Sequence, residues 1–189
     1  WQKSKKYPFS FLTEASLELA DDQELMDLMI QANLNTVFLG LETPSKESLV
    51  ECNKFQNASR DLGASVRILQ KNGFRVQGGF IVGFDNDNHS IFETQIDFIQ
   101  KIGVVTAMVG MLNAIPGTKL YKRLKREGRL TDQSAGNNTD GQLNFIPKMD
   151  PQVLKDGYKR ILKTIYSPKK YYERIIVFLE NYTPKDIPT

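Results

Sequence analysis

The 189-residue sequence predicts an α/β fold with about four parallel strands in βα units, followed by a C-terminal helical extension. Apolar runs alternate with segments whose apolar residues recur every three or four positions, which is typical of a parallel sheet covered by helices. The predicted strands are apolar along their whole length, so we expect both faces to be covered. Beyond residue 131 the pattern indicates helices only. We therefore predict two parts, residues 1–130 and 131–189.

The first two βα units are predicted from FSFLTEASLEL, DDQELMDLMIQANL and TVFLGLE, as strand, helix and strand. Asp21 and Glu24 have the spacing of a capping box, which places the start of the helix there. Thr43 and Pro44 are expected to be the N-cap and first residue of the helix after the second strand. The face of the first helix that we expect to point inward carries Leu25, Leu28, Met29 and Ala32.

The helix between the second and third strands follows the polar stretch NKFQNAS. Its inward residues are expected to be Leu62, Val66 and Leu69, and Gly73 is expected to end it in the left-handed conformation. FRVQGGFIVGF is the third predicted strand. Ser90 then has capping-box spacing to Glu93. The helix predicted there has apolar residues at helical spacing, namely Phe92, Ile96, Ile99 and Ile102.

The last unit and the extension follow the same logic. VTAMVGMLNAI is the fourth predicted strand, Pro116 and Gly117 end it, and TKLYKRLKREG is the next helix, whose basic residues we interpret as a solvated face. TDQSAGNNTDGQ is a loop, and DPQVLKDGYKRILKTIY and SPKKYYERIIVFLENY each start a helix with a cap residue and proline. The tail tyrosines would suit stacking on single-stranded nucleic acid, but their spacing favours core packing. Those tyrosines are Tyr158, Tyr166, Tyr171 and Tyr172.

Composition narrows the function classes. A net charge of +3 with interleaved acids and bases does not favour a nucleic-acid partner. The single cysteine, Cys52, excludes an internal disulfide and a cysteine cluster built from this chain alone, and we interpret it as a packing residue. His89 is interpreted as a helix-start residue. The apolar runs are too short to span a membrane and the start resembles no signal peptide, so we expect a cytoplasmic piece of a longer parent protein.

Polar residues follow three of the predicted strands. Glu42, the loop with Asp85 and Asp87, and Asn113 would share one edge, because the carboxyl ends of parallel strands meet there. Each has a simpler interpretation: Glu42 as a solvated strand end, Asp85 and Asp87 as a strand end and helix cap, and Asn113 as a turn residue. The glycines of GGFIVG lie inside a strand. They therefore indicate close backbone approach and give no dinucleotide fingerprint.

The segments FLGLET, GGFIVGFDND and NAIPGTKLYKRLKREGRL, in this order and at these distances, resemble the C-terminal half of a radical S-adenosylmethionine (radical SAM) barrel. The similarity is greatest to the B12-binding-domain subgroup, which includes proteins similar to the anaerobic Mg-protoporphyrin IX monomethyl ester cyclase and to hopanoid-modifying enzymes. NFIPKMDPQVLKDGYKRILKTIYSPKKYYERI resembles the helical tail of that subgroup. The resemblance implies a partial TIM-type barrel, about half of the full one, with a helical extension.

The resemblance also implies a binding site for S-adenosylmethionine at the strand ends. Glu42 would contact the ribose, residues 81–83 would line the adenine, and Asn113 with Ala114 would lie beside the base. A carboxylate suits ribose because it can accept hydrogen bonds from both hydroxyls. No catalytic or metal-binding residue is assigned. The predicted cofactor-binding residues are Glu42, Ile81, Val82, Gly83, Asp85, Asp87, Asn113 and Ala114.

For the parent, the resemblance implies an oxidoreductase-type enzyme with a [4Fe–4S] cluster and S-adenosylmethionine. It would cleave S-adenosylmethionine reductively to a 5′-deoxyadenosyl radical and, with cobalamin, methylate or oxidatively cyclise a small molecule. This sequence lacks the family's C-x-x-x-C-x-x-C loop and its G-G-E strand, so we expect the chain to be inactive alone. The alternative is a non-catalytic α/β interaction module. Open sheet edges predict self-association.

Overall fold

Four strands form one parallel sheet in the order in which they occur along the chain. The computed structural model describes residues 1–131 and 143–185. The strands are β1 (Phe11–Ala15), β2 (Leu34–Glu42), β3 (Arg75–Val82) and β4 (Thr106–Met111). Chain-order pairing of parallel strands is what successive βα crossovers on one side of a sheet produce. The α/β prediction is therefore confirmed.

Helices connect and extend the sheet. They are α1 (Gln23–Gln31), α2 (Lys46–Glu51), α3 (Phe55–Ala58), α4 (Leu62–Lys71), α5 (Ile91–Ile102), α6 (Lys119–Arg126), α7 (Pro151–Ile165) and α8 (Pro168–Asn181). Short 3-10 helices span Lys3–Lys5 and Leu17–Asp21. None of the helices in the described ranges has the length and apolar character needed to cross a bilayer. The predicted loop TDQSAGNNTDGQ falls almost wholly outside the described residues.

The first predicted strand and helix need correction. β1 ends at Ala15, and the apolar residues after it form the 3-10 helix, where Leu17 is buried. The N-cap of α1 is Asp22, whose Oδ1 accepts a hydrogen bond from the Leu25 amide at 2.9 Å, and Asp21 pairs with Arg60 instead. The predicted inward face of this helix is also wrong, and the one-residue shift of its start does not explain the difference. Leu25 and Leu28 are exposed, while Met26 and Ile30 are buried.

Two predicted caps are also wrong in detail. The N-cap of α2 is Ser45, not Thr43, since the Ser45 hydroxyl accepts from the Ser48 amide at 3.2 Å. Ser90 does precede α5, but its hydroxyl donates to Asn88 and makes no cap bond, so the capping box does not form. The predicted inward residues of α4 and α5 are confirmed as buried: Leu62, Val66, Leu69, Phe92, Ile96, Ile99 and Ile102.

The two faces of the sheet differ in what covers them. One face packs on the helices and supplies the core, as shown by Leu39, Phe80 and Val109, all at most 2% exposed. The strand residues that alternate with these form the opposite surface, which we call the open face. The open face includes Glu14, Phe38, Gly40, Glu42, Gln77, Gly79, Ile81 and Met108. Met108 is 56% exposed there, so this side is uncovered by the described residues.

The two C-terminal helices both pack on α5, and α7 also packs on β4 and shares the main core. Tyr158, Ile161 and Ile165 of α7 are buried, which confirms core packing for Tyr158. Tyr166 and Tyr172 are exposed, at 45% and 66%, so the prediction of core packing is wrong for these two. The Tyr166 hydroxyl nevertheless donates to the Ala107 carbonyl and accepts from the Ala107 amide, which fixes the end of α7 against β4. The division at residue 131 stays a prediction.

Arg174 of α8 is fully buried and has no carboxylate partner among the described residues. Its guanidinium donates to the Gln100 side chain and to the carbonyls of Ile165 and Val105. Tyr166 and Tyr171 place their rings 5.5 Å from it. Burial lowers the pKa of Arg174 from its usual value. One side chain therefore joins α8 to α5, α7 and the segment before β4.

We expect Arg174→Met to lower the free energy of unfolding by about 2–4 kcal/mol, because one buried and two partly buried acceptors would lose their donor. Urea unfolding followed by circular dichroism measures this. Arg160→Met is the matched control, since the Arg160–Glu93 pair at 2.8 Å is exposed on both sides. It should change stability by less than about 1 kcal/mol. If the two variants lowered the free energy of unfolding equally, Arg174 would not have the proposed role of joining α8 to the other elements.

Candidate functional site

The carboxyl ends of β2, β3 and β4 lie side by side at one edge of the sheet, which we call the rim. Glu42 ends β2, the Asp85 loop follows β3, and Asn113 follows β4 two residues after the strand ends. The three segments that the sequence predicted to share an edge therefore do so. This arrangement follows from parallel pairing of neighbouring strands, since all their carboxyl ends point the same way.

Glu42 lies at a break in the regular pairing of β2. The register to β3 shifts between Gly40 and Glu42, and Glu42 has φ +64°, which is unfavourable for a residue with a side chain. Its carboxylate folds back over Gly40 on the open face, where Oε1 lies 3.2 Å from the Lys54 Nζ. A Cβ on Gly40 would come within 2.6 Å of that oxygen. The glycine therefore makes room for the Glu42–Lys54 pair.

Asp87 holds the turn that follows β3. Its Oδ2 accepts from the amides of Gly83 and Phe84 at 2.8 and 3.1 Å, and its Oδ1 accepts from the Ser48 hydroxyl at 2.8 Å. Burial raises the pKa of Asp87, although these hydrogen bonds oppose that rise. Gly83 has φ +102°, and Leu154 of α7 covers its other side. Asp87 thus acts on the protein's own backbone.

Asp85 is the centre of an ion network. Its side chain is 5% exposed and pairs with Arg129 at 2.6 Å and Arg123 at 2.7 Å. The hydrogen bond from Arg129, with that from Arg123, holds the pKa of Asp85 below its usual value. Glu51 of α2 accepts from the Asp85 and Asn86 amides and pairs with Arg123 at 3.0 Å. The loop after β3 is therefore bound to α2, to α6 and to Arg129.

The residues after β4 are bound to the tail. The Asn144 side chain accepts from the Ala114 amide at 2.9 Å and donates to the Ala114 carbonyl at 2.8 Å. Asn113 and Ala114 are both buried, at 8% and 0% exposure. An isolated bridge between Leu130 and Phe145 continues this contact. The tail thus fixes the conformation of the segment beyond β4.

Two of the eight predicted cofactor-binding residues are accessible to a ligand, and the other six are buried or bonded within the protein. Glu42 and Ile81 lie on the open face at the rim, where a ligand could reach them. The Val82 side chain is fully buried on the helix side. The remaining five are buried or bonded within the protein, namely Gly83, Asp85, Asp87, Asn113 and Ala114. Ligand contact stays a prediction for all eight.

Sequence reasoning missed the residues that complete the site. Interpreting the basic run of α6 as solvated suits Lys119 and Lys122 but is wrong for Arg123, which binds Asp85 and Glu51. Lys54 and Asn144 were not singled out either. Their partners are distant in sequence, 30 residues for Asn144 and Ala114. Such pairs leave no periodic pattern in the sequence. One weak signal was present: Asn53, directly before Lys54, has a left-handed backbone, and asparagine is a residue type that tolerates this conformation.

The residues present do not fit an iron–sulfur cluster. No group of three potential metal-ligating side chains occurs among residues 1–131 and 143–185. Cys52 is half-buried, its Sγ lies 3.3 Å from the Leu49 carbonyl, and burial raises the pKa of its thiol. A thiol with a raised pKa is a poor metal ligand, because the thiolate is the form that binds. Any cluster would need cysteines outside this chain, whose single cysteine is Cys52.

Comparison with known proteins identifies relatives of this chain. Residues 118–189 match a family described as a domain of unknown function, DUF4070. The chain is 43% identical over 175 residues to an uncharacterized methyltransferase of Synechocystis sp., covering 92% of this chain and 33% of the relative. It is 30% identical over 174 residues to the hopanoid C-2 methylase of Rhodopseudomonas palustris, covering 92% and 32%.

A third relative is the bacteriochlorophyllide d C-12(1)-methyltransferase of Chlorobaculum tepidum, 27% identical over 161 residues, which covers 85% of this chain and 35% of the relative. The resemblance to radical SAM proteins of the B12-binding subgroup is confirmed. The chain spans about a third of the length of these relatives.

Elp3 of Methanocaldococcus infernus has a similar structure, with TM-score 0.56 at 13% identity over 82% of this chain and 41% of Elp3. That likeness confirms the partial barrel.

We expect Asp85→Asn to lower the free energy of unfolding at pH 7 by about 1–3 kcal/mol, since two arginines would lose a buried carboxylate. Because folding lowers the pKa of Asp85, its contribution is present above the ordinary aspartate range and is lost as pH falls through the folded value. The variant should therefore have a shallower loss of stability in acid. Asp97→Asn, at an exposed position of α5, is the control. The measurement is urea unfolding at several pH values between 2 and about 7. If the free energy of unfolding of both variants changed with pH as steeply as that of the wild type, the prediction would be wrong.

Proposed function

We propose that this chain supplies the later strands of a radical SAM active site and binds S-adenosylmethionine at the rim. The observation that carries the proposal is the Glu42–Lys54 pair, which lies on the open face over Gly40. Gly79 pairs with Gly40 across β2 and β3, so two neighbouring positions of the open face carry no side chain. Bare backbone beside a carboxylate and an ammonium group suits a flat, polar ligand.

Each group has a counterpart on S-adenosylmethionine. The Glu42 carboxylate would accept hydrogen bonds from the ribose hydroxyls, and Ile81 would pack against the adenine. The Lys54 ammonium would pair with the carboxylate of the methionine part, which is the ligand's only anionic group. The two charges already lie 3.2 Å apart, so binding would exchange their mutual attraction for contacts with the ligand.

The parent would supply what this chain lacks. With cysteines outside this chain it would hold a [4Fe–4S] cluster, which would supply the electron for reductive cleavage of S-adenosylmethionine, and the chain alone would be inactive because it has one cysteine. The names of the relatives, which are methylases and methyltransferases, support methylation of a small molecule over oxidative cyclisation. Cobalamin would be bound outside this chain. The proposal includes no nucleic acid and no membrane. Self-association through the open sheet edges stays a prediction.

The first test is Gly40→Ala in the parent protein. The added methyl group would displace the ends of two flexible side chains, Glu42 and Lys54, so the fold should tolerate it. Calorimetry should show about tenfold weaker binding of S-adenosylmethionine with an almost unchanged melting temperature. Gly63→Ala in α4, away from the rim, adds the same methyl group and should leave affinity unchanged. Full affinity in the Gly40 variant would refute this site.

The second test separates Lys54 from general electrostatics. Lys54→Gln should weaken binding of S-adenosylmethionine by about fivefold to tenfold but leave binding of decarboxylated S-adenosylmethionine unchanged, because only the former carries the carboxylate. Competition calorimetry with both ligands measures the difference. Lys46→Gln, an exposed residue of α2, is the control. Equal losses for both ligands would mean that Lys54 does not contact the carboxylate.

A non-catalytic interaction module is the second candidate. It is favoured by the internal bonding of Asp85, Asp87 and Ala114, which leaves fewer groups for a ligand than the resemblance implies. The two candidates differ in one measurement. If the parent protein with reconstituted cluster binds no S-adenosylmethionine by calorimetry, the module is the better description; saturable binding excludes it.

A further inference from the structure

A second cavity opens at the rim between the end of α2 and the start of α6. It has a volume of about 440 Å³, within the range of pockets that hold small molecules. Its walls include Phe84 and Leu112 from the loops after β3 and β4, and Leu120 from α6. None of the eight residues predicted to bind S-adenosylmethionine lines it. The cavity is therefore distinct from the open-face site.

Apart from Lys119, the wall of the cavity is mostly apolar, and its other two charged residues pair with each other. Arg123 lines it, but its guanidinium is already paired with Asp85 and with Glu51, which also lines the cavity. Cys52 forms part of the opposite wall as a neutral thiol, since burial raises its pKa. A guest that fills this space would therefore gain chiefly from burying apolar surface.

One cation at the cavity is not neutralised. Lys119 is exposed at its edge and has no ion pair within the described ranges. It is the first residue of α6, so the positive end of the helix dipole adds to its charge. The cavity thus joins an apolar interior to a single positive edge, which matches an apolar molecule with one anionic group.

The cavity also borders the proposed S-adenosylmethionine site. Asn53 lines it, and the next residue, Lys54, pairs with Glu42 on the open face. Phe84 and Leu112 belong to an apolar cluster that Ile81 contacts from the open face. A molecule in the cavity would therefore lie beside the adenosyl group, where the acceptor of its chemistry has to be.

We propose that this cavity binds the acceptor substrate, an apolar molecule with one anionic group, with its apolar part between Phe84, Leu112 and Leu120 and its anion at Lys119. The assignment of this guest as the acceptor rests on the proposed function. The binding site itself rests only on the cavity and its charges.

Two probes of the same skeleton test the inference on the parent protein. 1-Anilinonaphthalene-8-sulfonate carries an anionic group, and N-phenyl-1-naphthylamine is its neutral counterpart; both gain fluorescence in apolar sites. Lys119→Gln should weaken binding of the anionic probe by about threefold to fivefold and leave binding of the neutral probe unchanged. Lys122→Gln, which does not line the cavity, should change neither probe.

Substitutions that fill the cavity with a larger side chain should weaken binding of both probes. Leu120→Trp, on the α6 wall, should weaken each probe by at least about tenfold, and Cys52→Phe should do the same from the opposite wall. The melting temperature and circular dichroism of each variant report whether it is folded, and one folded variant of the two is sufficient. Unchanged binding of both probes in a folded variant would overturn the inference.

Saturating S-adenosylmethionine separates this inference from the proposed function. If S-adenosylmethionine binds and displaces neither probe, the two sites are separate and adjacent as inferred. If it displaces both, the cavity belongs to the S-adenosylmethionine site and the inference fails while the proposed function stands. If it does not bind at all but the probes respond to Lys119→Gln and Leu120→Trp as expected, the cavity stands and the proposed function fails.

Discussion

The rim depends on the compensation of carboxylates that are buried in the loop after β3. An uncompensated charge in such a position would cost several kcal/mol, so each oxygen must find a donor. Asp87 finds them in the backbone and Ser48, and Asp85 finds them in Arg123 and Arg129. Because those donors come from α2, from α6 and from the segment after it, the acids fix the positions of elements far apart in sequence. The opposite pKa shifts of the two aspartates express the same balance, with burial dominant for Asp87 and arginine contacts dominant for Asp85.

This use of the acids leaves a different pair for ligand binding. Asp85 and Asp87 bind the protein's own groups, whereas Glu42 and Lys54 lie on the open face and, among the residues that the structure describes, pair only with each other. Glu42 keeps a left-handed backbone there, and such strain persists where the surrounding structure enforces it. Two glycines are needed for this arrangement. Gly40 in β2 makes room for the charged pair, and Gly83, directly after β3, makes room for the turn and for Leu154.

The tail contributes to the rim as well as to the core. Asn144 pairs with both backbone groups of Ala114, Leu154 covers Gly83, and Arg174 binds α8 to the segment before β4. A helical extension that reaches the loops after β3 and β4 limits their motion, because any displacement would leave buried polar groups unpaired. The region that matches DUF4070, residues 118–189, is thus structurally continuous with the strand ends in the described residues.

The sequence by itself determined the α/β class, the four strands, most inward faces and the edge where chemistry could lie, because apolar periodicity and parallel pairing are local or nearly local rules. It misplaced the inward face of α1, where Met26 and Ile30 are buried, because the neighbouring 3-10 helix changes which side meets the core. Only the tertiary structure decided which charged residues bind the protein and which remain for a ligand. Arg123 and Lys119 belong to one basic run, yet one is bound to two acids and the other is exposed. That difference depends on which side of α6 faces the loop after β3, and a pairing between residues 38 positions apart leaves no pattern in the sequence.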